Sequence, residues 1–366
     1  MKLRTFSTQC ACLAVLAGNL LCVPALNAQQ SGEQIPVATP LSRLPTSILD
    51  VTPPSARVRG APGAMKIVER NCNTQPLGAE LRRRIVATAA QEWAFFGFQV
   101  DDQRGTAPLP GASDPNNSNN SNNNTANNRR RFGPLNPVEV ARVADSVGGY
   151  WSAAPGSDWI LARQNEAWNS TQGLASRYRD PWSAAFISWV MCESGLGDEE
   201  RFERAIAHHS YIDQAIEARD GKAQEAAYIA YDPGEQPIIP GDMLCSGLRP
   251  MYRSLDQRRA QLGVGARTHC DIVVQVDTDT GQILTIGGNV RSSVRLKIFP
   301  AGSADGQEFA PQPTARMIFA HLKLQTDMIE AAALEHTPTL RSISCAMPAA
   351  PASFAIASIE PPAASC

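Results

Sequence analysis

Between Pro181 and Met191 the chain reads Pro-Trp-Ser-Ala-Ala-Phe-Ile-Ser-Trp-Val-Met, and nearly every position is apolar. A helix that is apolar all round has no face to offer water, so it must lie inside a core. Asp180 suits an N-cap and Pro181 a first helical position, where a missing N–H costs nothing. Ser183 is then a hydroxyl in the first turn of a buried helix, where unpaired N–H groups and the positive dipole end meet. Such a place can hold a nucleophile and stabilise an oxyanion. A first-turn serine that only helps cap the helix fits the same pattern.

The N-terminus has the form of an export signal. Lys2 and Arg4 precede a mostly apolar run from Cys10 to Val23, too short to span a bilayer, and Ala25 and Ala28 are small enough for cleavage. Residues 1–28 are therefore expected to be removed, leaving an exported protein, periplasmic or secreted, with no later transmembrane segment. A net charge of −2 with 19% charged residues offers no basic face for nucleic acid. Of the nine cysteines, Cys10, Cys12 and Cys22 leave with the signal. Cys72, Cys192, Cys245, Cys270, Cys345 and Cys366 remain, an even set that suggests disulfides, with buried free thiols as the alternative. No pair has the close spacing of a zinc site and there is no nucleotide-binding loop, so neither metal nor cofactor is expected.

Residues 29–76 are rich in Pro, Ser and Thr without a sustained period, which predicts a flexible leader. Leu81, Ile85, Val86, Ala89, Trp93 and Phe96 then form one stripe of a helix over 77–98. From 103 to 137 the composition changes sharply, and 116–128 is almost entirely Asn and Ser, which predicts a disordered insertion. Helical patterns resume at 138–151 and 159–168, and a further helix is expected over 199–218. After Pro240-Gly241 the period changes to alternation, predicting strands at 242–245, 269–276, 282–288, 294–299 and 317–324. Helices first and antiparallel strands second give an α+β domain over 77–324, with a loose Ala- and Pro-rich tail over 325–366.

The strand containing His269 leads through a short turn into the strand ending at Asn289. If Val276 pairs with Gln282, Asn289 falls opposite His269 on one face. A carboxamide there can hold one ring nitrogen and leave the other for a nucleophile. Cys270, the next residue on the strand, must point to the opposite face. Cys245 ends another strand, which makes Cys245–Cys270 the first expected disulfide.

Four motifs occur in one order: Pro-Trp-Ser-Ala-Ala-Phe-Ile-Ser-Trp-Val at 181–190, Ile-Pro-Gly-Asp-Met-Leu at 239–244, His-Cys-Asp-Ile-Val at 269–273 and Gly-Gly-Asn-Val at 287–290. Together they resemble the papain-like cell-wall amidases and endopeptidases of the CHAP and NlpC type, closest to an uncharacterised branch known as a domain of unknown function. The resemblance covers about 77–299. It implies a papain-like fold, with helices packed on an antiparallel sheet, and a catalytic set of Ser183, His269 and Asn289. Ser183 stands where the family carries a cysteine. A serine hydroxyl does not ionise near neutral pH as an activated thiol does, so a histidine must take its proton during attack. Trp182, His208 and Tyr211 are the candidate substrate-binding residues; His208 and Tyr211, at i and i+3, share one side of their helix. The expected function is hydrolysis of amide bonds in peptidoglycan peptides or another envelope substrate. The alternatives are a non-catalytic envelope-binding protein that keeps the groove, and a structural domain whose groove is vestigial.

Overall fold

The computed structural model describes residues 40–73, 78–105, 136–249 and 251–346. The expected signal peptide, most of the Asn-rich insertion and the end of the expected tail lie outside the described residues.

The architecture is α+β. A small hairpin of β1 (Val58–Arg59) and β2 (Lys66–Ile67) comes first, then α1 (Ala79–Phe95), β3 (Val100–Asp102), α2 (Pro137–Ser152) and α3 (Asp158–Trp168). The apolar segment forms α4 (Ser183–Ser194), followed by α5 (His208–Arg219) and β4 (Tyr228–Tyr231). The second half supplies β5 (Met243–Arg249), short α6 (Leu255–Arg259), β6 (Arg267–Asp277), β7 (Gln282–Val290), β8 (Ser293–Gly302), β9 (Ala310–Pro311), β10 (Ile318–Leu324) and α7 (Pro338–Ala346). The large sheet runs β3-β8-β7-β6-β5-β10-β4, with β9 on β8; its pairs are antiparallel except β3 with β8.

All twelve residues of α4 are buried, as an all-round apolar helix requires. It touches α1 and α2 as well as β6 and β7, so it is the central helix of the core. Its start is later than the Asp180–Pro181 cap predicts: Trp182 is the N-cap, Ser183 the first helical residue, and Asp180 pairs with Arg163 instead. At the other end Gly195 adopts a left-handed φ of 107°, a conformation that favours glycine at a helix C-terminus.

Residues 40–73, expected to be a flexible leader, pack onto this core. Leu49, Val51, Val58 and Met65 are buried, Arg57 forms a buried ion pair with Glu193, Arg43 pairs with Glu92 at 2.6 Å, and Cys72 is disulfide-bonded to Cys192. Scattered side chains docking singly into a preformed surface leave no period in the sequence. Part of the expected tail also folds: Ala333 and Leu334 are buried and α7 contacts α1. The expected helix over 199–218 begins only at His208, because tertiary hydrogen bonds claim the preceding backbone. The Ala205 amide donates to Ser188 Oγ (3.0 Å), the Glu203 amide to Gln214 Oε1 (2.7 Å), and the Arg201 carbonyl accepts from Ala227 (2.8 Å).

Candidate functional site

Two helix N-termini and the middle of the sheet converge at Ser183. Ser183 opens α4 and His208 opens α5, and His208 Nε2 lies 2.7 Å from Ser183 Oγ. Moving the start of α5 to His208 is what turns this histidine from a mid-helix residue into the direct partner of the serine. The sequence-based pairing was Ser183 with His269; the structure shows His208 in that contact. His269 stands next to it, with the two imidazole centroids 5.0 Å apart and nearly edge to face. Ser183, His208 and His269 are 8, 3 and 5% exposed, so little water reaches the cluster.

The protonation of His208 follows from its other nitrogen. Cys270 sits opposite Cys245 with 4.1 Å between Cα atoms, the close spacing of a non-hydrogen-bonded pair, so the Cys270 amide points away from β5. It donates to His208 Nδ1 at 3.2 Å, and the Tyr211 hydroxyl also bonds that nitrogen. A backbone amide can only donate, so Nδ1 carries a lone pair and Nε2 carries the hydrogen. His208 therefore donates to Ser183 Oγ. Burial, and after it the neighbouring His269, hold the His208 pKa well below the usual histidine value, which keeps the ring neutral. Burial pushes the Tyr211 phenol well up, so it remains a donor.

His269 is held by Asp271 rather than by Asn289. Residues i and i+2 of a strand share a face, and His269 Nε2 lies 2.9 Å from Asp271 Oδ1. Lys297 Nζ bonds both oxygens of the same carboxylate, at 2.8 and 2.7 Å. Burial alone would raise the Asp271 carboxyl; Lys297 and then His269 outweigh it and hold it far below the usual carboxylate range. An ionised carboxylate only accepts, so Nε2 of His269 bears the hydrogen and Nδ1 a lone pair. Burial, then Lys297, lower the His269 pKa against the opposing pull of Asp271, and the ring is neutral.

The expected register is partly met, and that explains Asn289. At the turn, Asp277 and not Val276 faces Gln282; a bulge between Val273 and Gln275 then brings Ile272 opposite Ile286. Continued, this register would set Asn289 against His269, but the described ladder between β6 and β7 ends at Ile272–Ile286. Beyond it β7 is irregular, with a shift between Gly287 and Val290 and Asn289 at φ 56°, a left-handed conformation that asparagine tolerates. Among the described residues no hydrogen bond joins Asn289 to His269. Two glycines leave room at this break. A Cβ on Gly287 would stand 1.8 Å from Asp271 Oδ1 and 3.2 Å from His269 Nε2, and one on Gly288 2.6 Å from the Phe186 Cβ. Trp182, expected to touch substrate, is instead fully buried and stacks on Tyr150 and Phe96, with centroids 5.6 and 5.9 Å apart. A neighbour of the nucleophile position in sequence is thus part of the aromatic core.

The expected Cys245–Cys270 disulfide is present across β5 and β6. Asp242, from the Ile-Pro-Gly-Asp motif, is wholly buried between Arg82 (2.7 Å) and His321 (2.8 Å) and accepts from the amides of Ile239 and Leu324. It braces the start of β5 rather than facing the serine. Sequence reasoning missed Asp271 and Lys297. The i+2 spacing from His269 was a usable signal for the first; nothing local marked the second. Among the described residues no group of His, Cys, Asp and Glu is arranged to hold a metal ion, and no helix is long and apolar enough to cross a membrane.

No curated protein and no solved structure matches this chain. Residues 140–316, a stretch that includes Ser183, His208, Tyr211, His269, Asp271 and Lys297, match the family described as an uncharacterized protein conserved in bacteria (DUF2272).

Proposed function

We propose that this chain is an exported amide-bond hydrolase of papain-like design, acting on peptidoglycan peptides or a related envelope substrate, with Ser183 as nucleophile. The observation that carries the reading is the buried contact of Ser183, at the first residue of the central helix, with one oriented imidazole beside a second that is backed by a carboxylate. The two disulfides suit an oxidising compartment.

In this reading Ser183 Oγ attacks the amide carbon and its proton passes to Nδ1 of His269, the free lone pair of the pair of imidazoles. His208 Nε2–H and the unpaired amides of the first turn of α4 stabilise the negative charge that develops on oxygen. His269 then gives the proton to the departing amine, leaving an acyl-serine. Water repeats the sequence to free the acid and restore the hydroxyl. Asp271 takes the orienting role expected of Asn289, and Tyr211 fixes His208 rather than touching substrate.

One observation favours a second reading, a non-catalytic envelope-binding protein. The imidazole in direct contact with Ser183 presents an N–H, so in this state the hydroxyl is held but not activated. The experiment is digestion of purified peptidoglycan followed by mass spectrometry of the soluble fragments, with Ser183→Ala and Ser183→Cys alongside. The hydrolase reading expects cleaved peptides from the wild type and a loss of at least 100-fold in Ser183→Ala, on the scale of about 10²–10⁴ per essential group. Wild type without products, together with sedimentation on sacculi that survives Ser183→Ala, would establish the binding reading instead.

A further inference from the structure

Lys297 is a charged side chain, 1% exposed, in the interior of a sheet. It belongs to β8, Asp271 to β6, and β7 lies between them. The two outer strands are about 9.5 Å apart, twice the usual strand spacing, so only a long side chain can bridge them. Gly287 on the strand between has no side chain, and a Cβ there would occupy the position of the Asp271 carboxylate. The path from β8 to β6 is thus kept open by a glycine and filled by a lysine that bonds both carboxylate oxygens. A lysine needed only for packing could turn its amine to solvent, because its stem is long and flexible.

We propose that Lys297 is the positioning residue of this site: by gripping both oxygens of Asp271 it keeps the carboxylate ionised and turned to His269, so that His269 has its hydrogen on Nε2 and its lone pair on Nδ1. The inference deepens the hydrolase reading by naming what prepares the base. The charged and titratable groups around His269 are Asp271 on its own strand, Lys297 on β8, His208 on α5 and Arg316 just before β10; Arg316 adds a positive field at both His269 and Lys297. Without Lys297, Asp271 would be a buried carboxylate with a single partner. It would either draw a proton onto His269, making an imidazolium, or take a proton itself and cease to dictate the tautomer.

The test is ¹⁵N NMR of histidine-labelled full-length protein across pH 5–8, with hydrolysis of peptidoglycan measured in parallel. The wild type should show His269 neutral at pH 7 as a single Nε2–H tautomer. Lys297→Met should mix the tautomers or raise the His269 titration by one pH unit or more, with the acid limb of any hydrolysis profile moving by the same amount. Lys297→Arg should restore the wild-type signals. A wild-type His269 protonated at Nδ1, or charged at pH 7, overturns the inference without any mutant having to fold. So does Lys297→Met with unchanged His269 signals. If the tautomer responds as stated but no preparation cleaves peptidoglycan, the positioning role stands and the hydrolase reading falls.

Discussion

The sharpest structural wager is Gly287→Ala. The change adds one methyl group, and the position is outside the left-handed region, so alanine meets no backbone strain there. What it meets is Asp271. The new Cβ would lie 1.8 Å from Oδ1, whereas carbon and oxygen in contact stand roughly 3.3–3.6 Å apart. The carboxylate or strand β7 must therefore retreat by about 1.5 Å. A retreat of the carboxylate stretches its contacts with His269 at 2.9 Å and with Lys297 at 2.7 and 2.8 Å beyond hydrogen-bonding range; a retreat of β7 instead strains its ladders with β6 and β8, the two strands that carry those groups. Overpacking costs about 1–3 kcal/mol and a weakened charged hydrogen bond about 1.5–3 kcal/mol. Partial relaxation makes the two overlap, so the expected loss is about 2–4 kcal/mol. Urea denaturation followed by fluorescence measures it, with Gly265→Ala as control, since a Cβ at Gly265 meets nothing within 4 Å. The control should stay within about 0.5 kcal/mol of wild type. Gly287→Ala within that same margin, with His269 NMR signals unmoved, would refute the described packing of His269, Asp271 and Lys297.

Stability should fall as pH drops below the ordinary histidine range. His208 and His269 have lowered pKa values in the folded state, so below about pH 6.5 the unfolded chain binds protons that the native one refuses. Their cost is absent above that pH and grows as pH falls toward the folded-state values. Asp271, also depressed, contributes stability present above about pH 4 and lost in stronger acid. Denaturation midpoints at pH 7.5, 6.5 and 5.5 check this; a flat profile over that interval, or the same slope in His208→Asn, would contradict the assignment of neutral buried rings. The two disulfides should differ in weight. Cys72–Cys192 spans 120 residues and Cys245–Cys270 spans 25, so chain entropy gives about 5 and 3.5 kcal/mol respectively. Paired Cys→Ser variants in denaturant should show the larger loss for Cys72/Cys192, and the reverse order would show that chain entropy is not what separates them.

Much of the frame was legible because burial and secondary structure leave periodic marks. The run from Trp182 to Met191 could only be a core helix, and alternation after Pro240 located the main strands within a few residues. Placing His269 and Cys270 on opposite faces of one strand, with Cys245 at the end of another, pointed to Cys245–Cys270, and that disulfide is present. The Asp271 partner was within reach of the same rule, since two residues along a strand return to the same face.

What local pattern determined was therefore the α+β order, the buried Ser183 helix and the strand that carries His269. Only the folded chain decided which groups meet. The backbone of 199–207 is claimed by Ser188, Gln214 and Ala227, so α5 begins at His208 and sets that imidazole on Ser183. A bulge and the break at Gly287–Gly288 take Asn289 out of the ladder, and Lys297 reaches Asp271 across an intervening strand. Each depends on hydrogen bonds and free space between segments far apart in the chain, and such long-range pairings leave no period in the residues that make them.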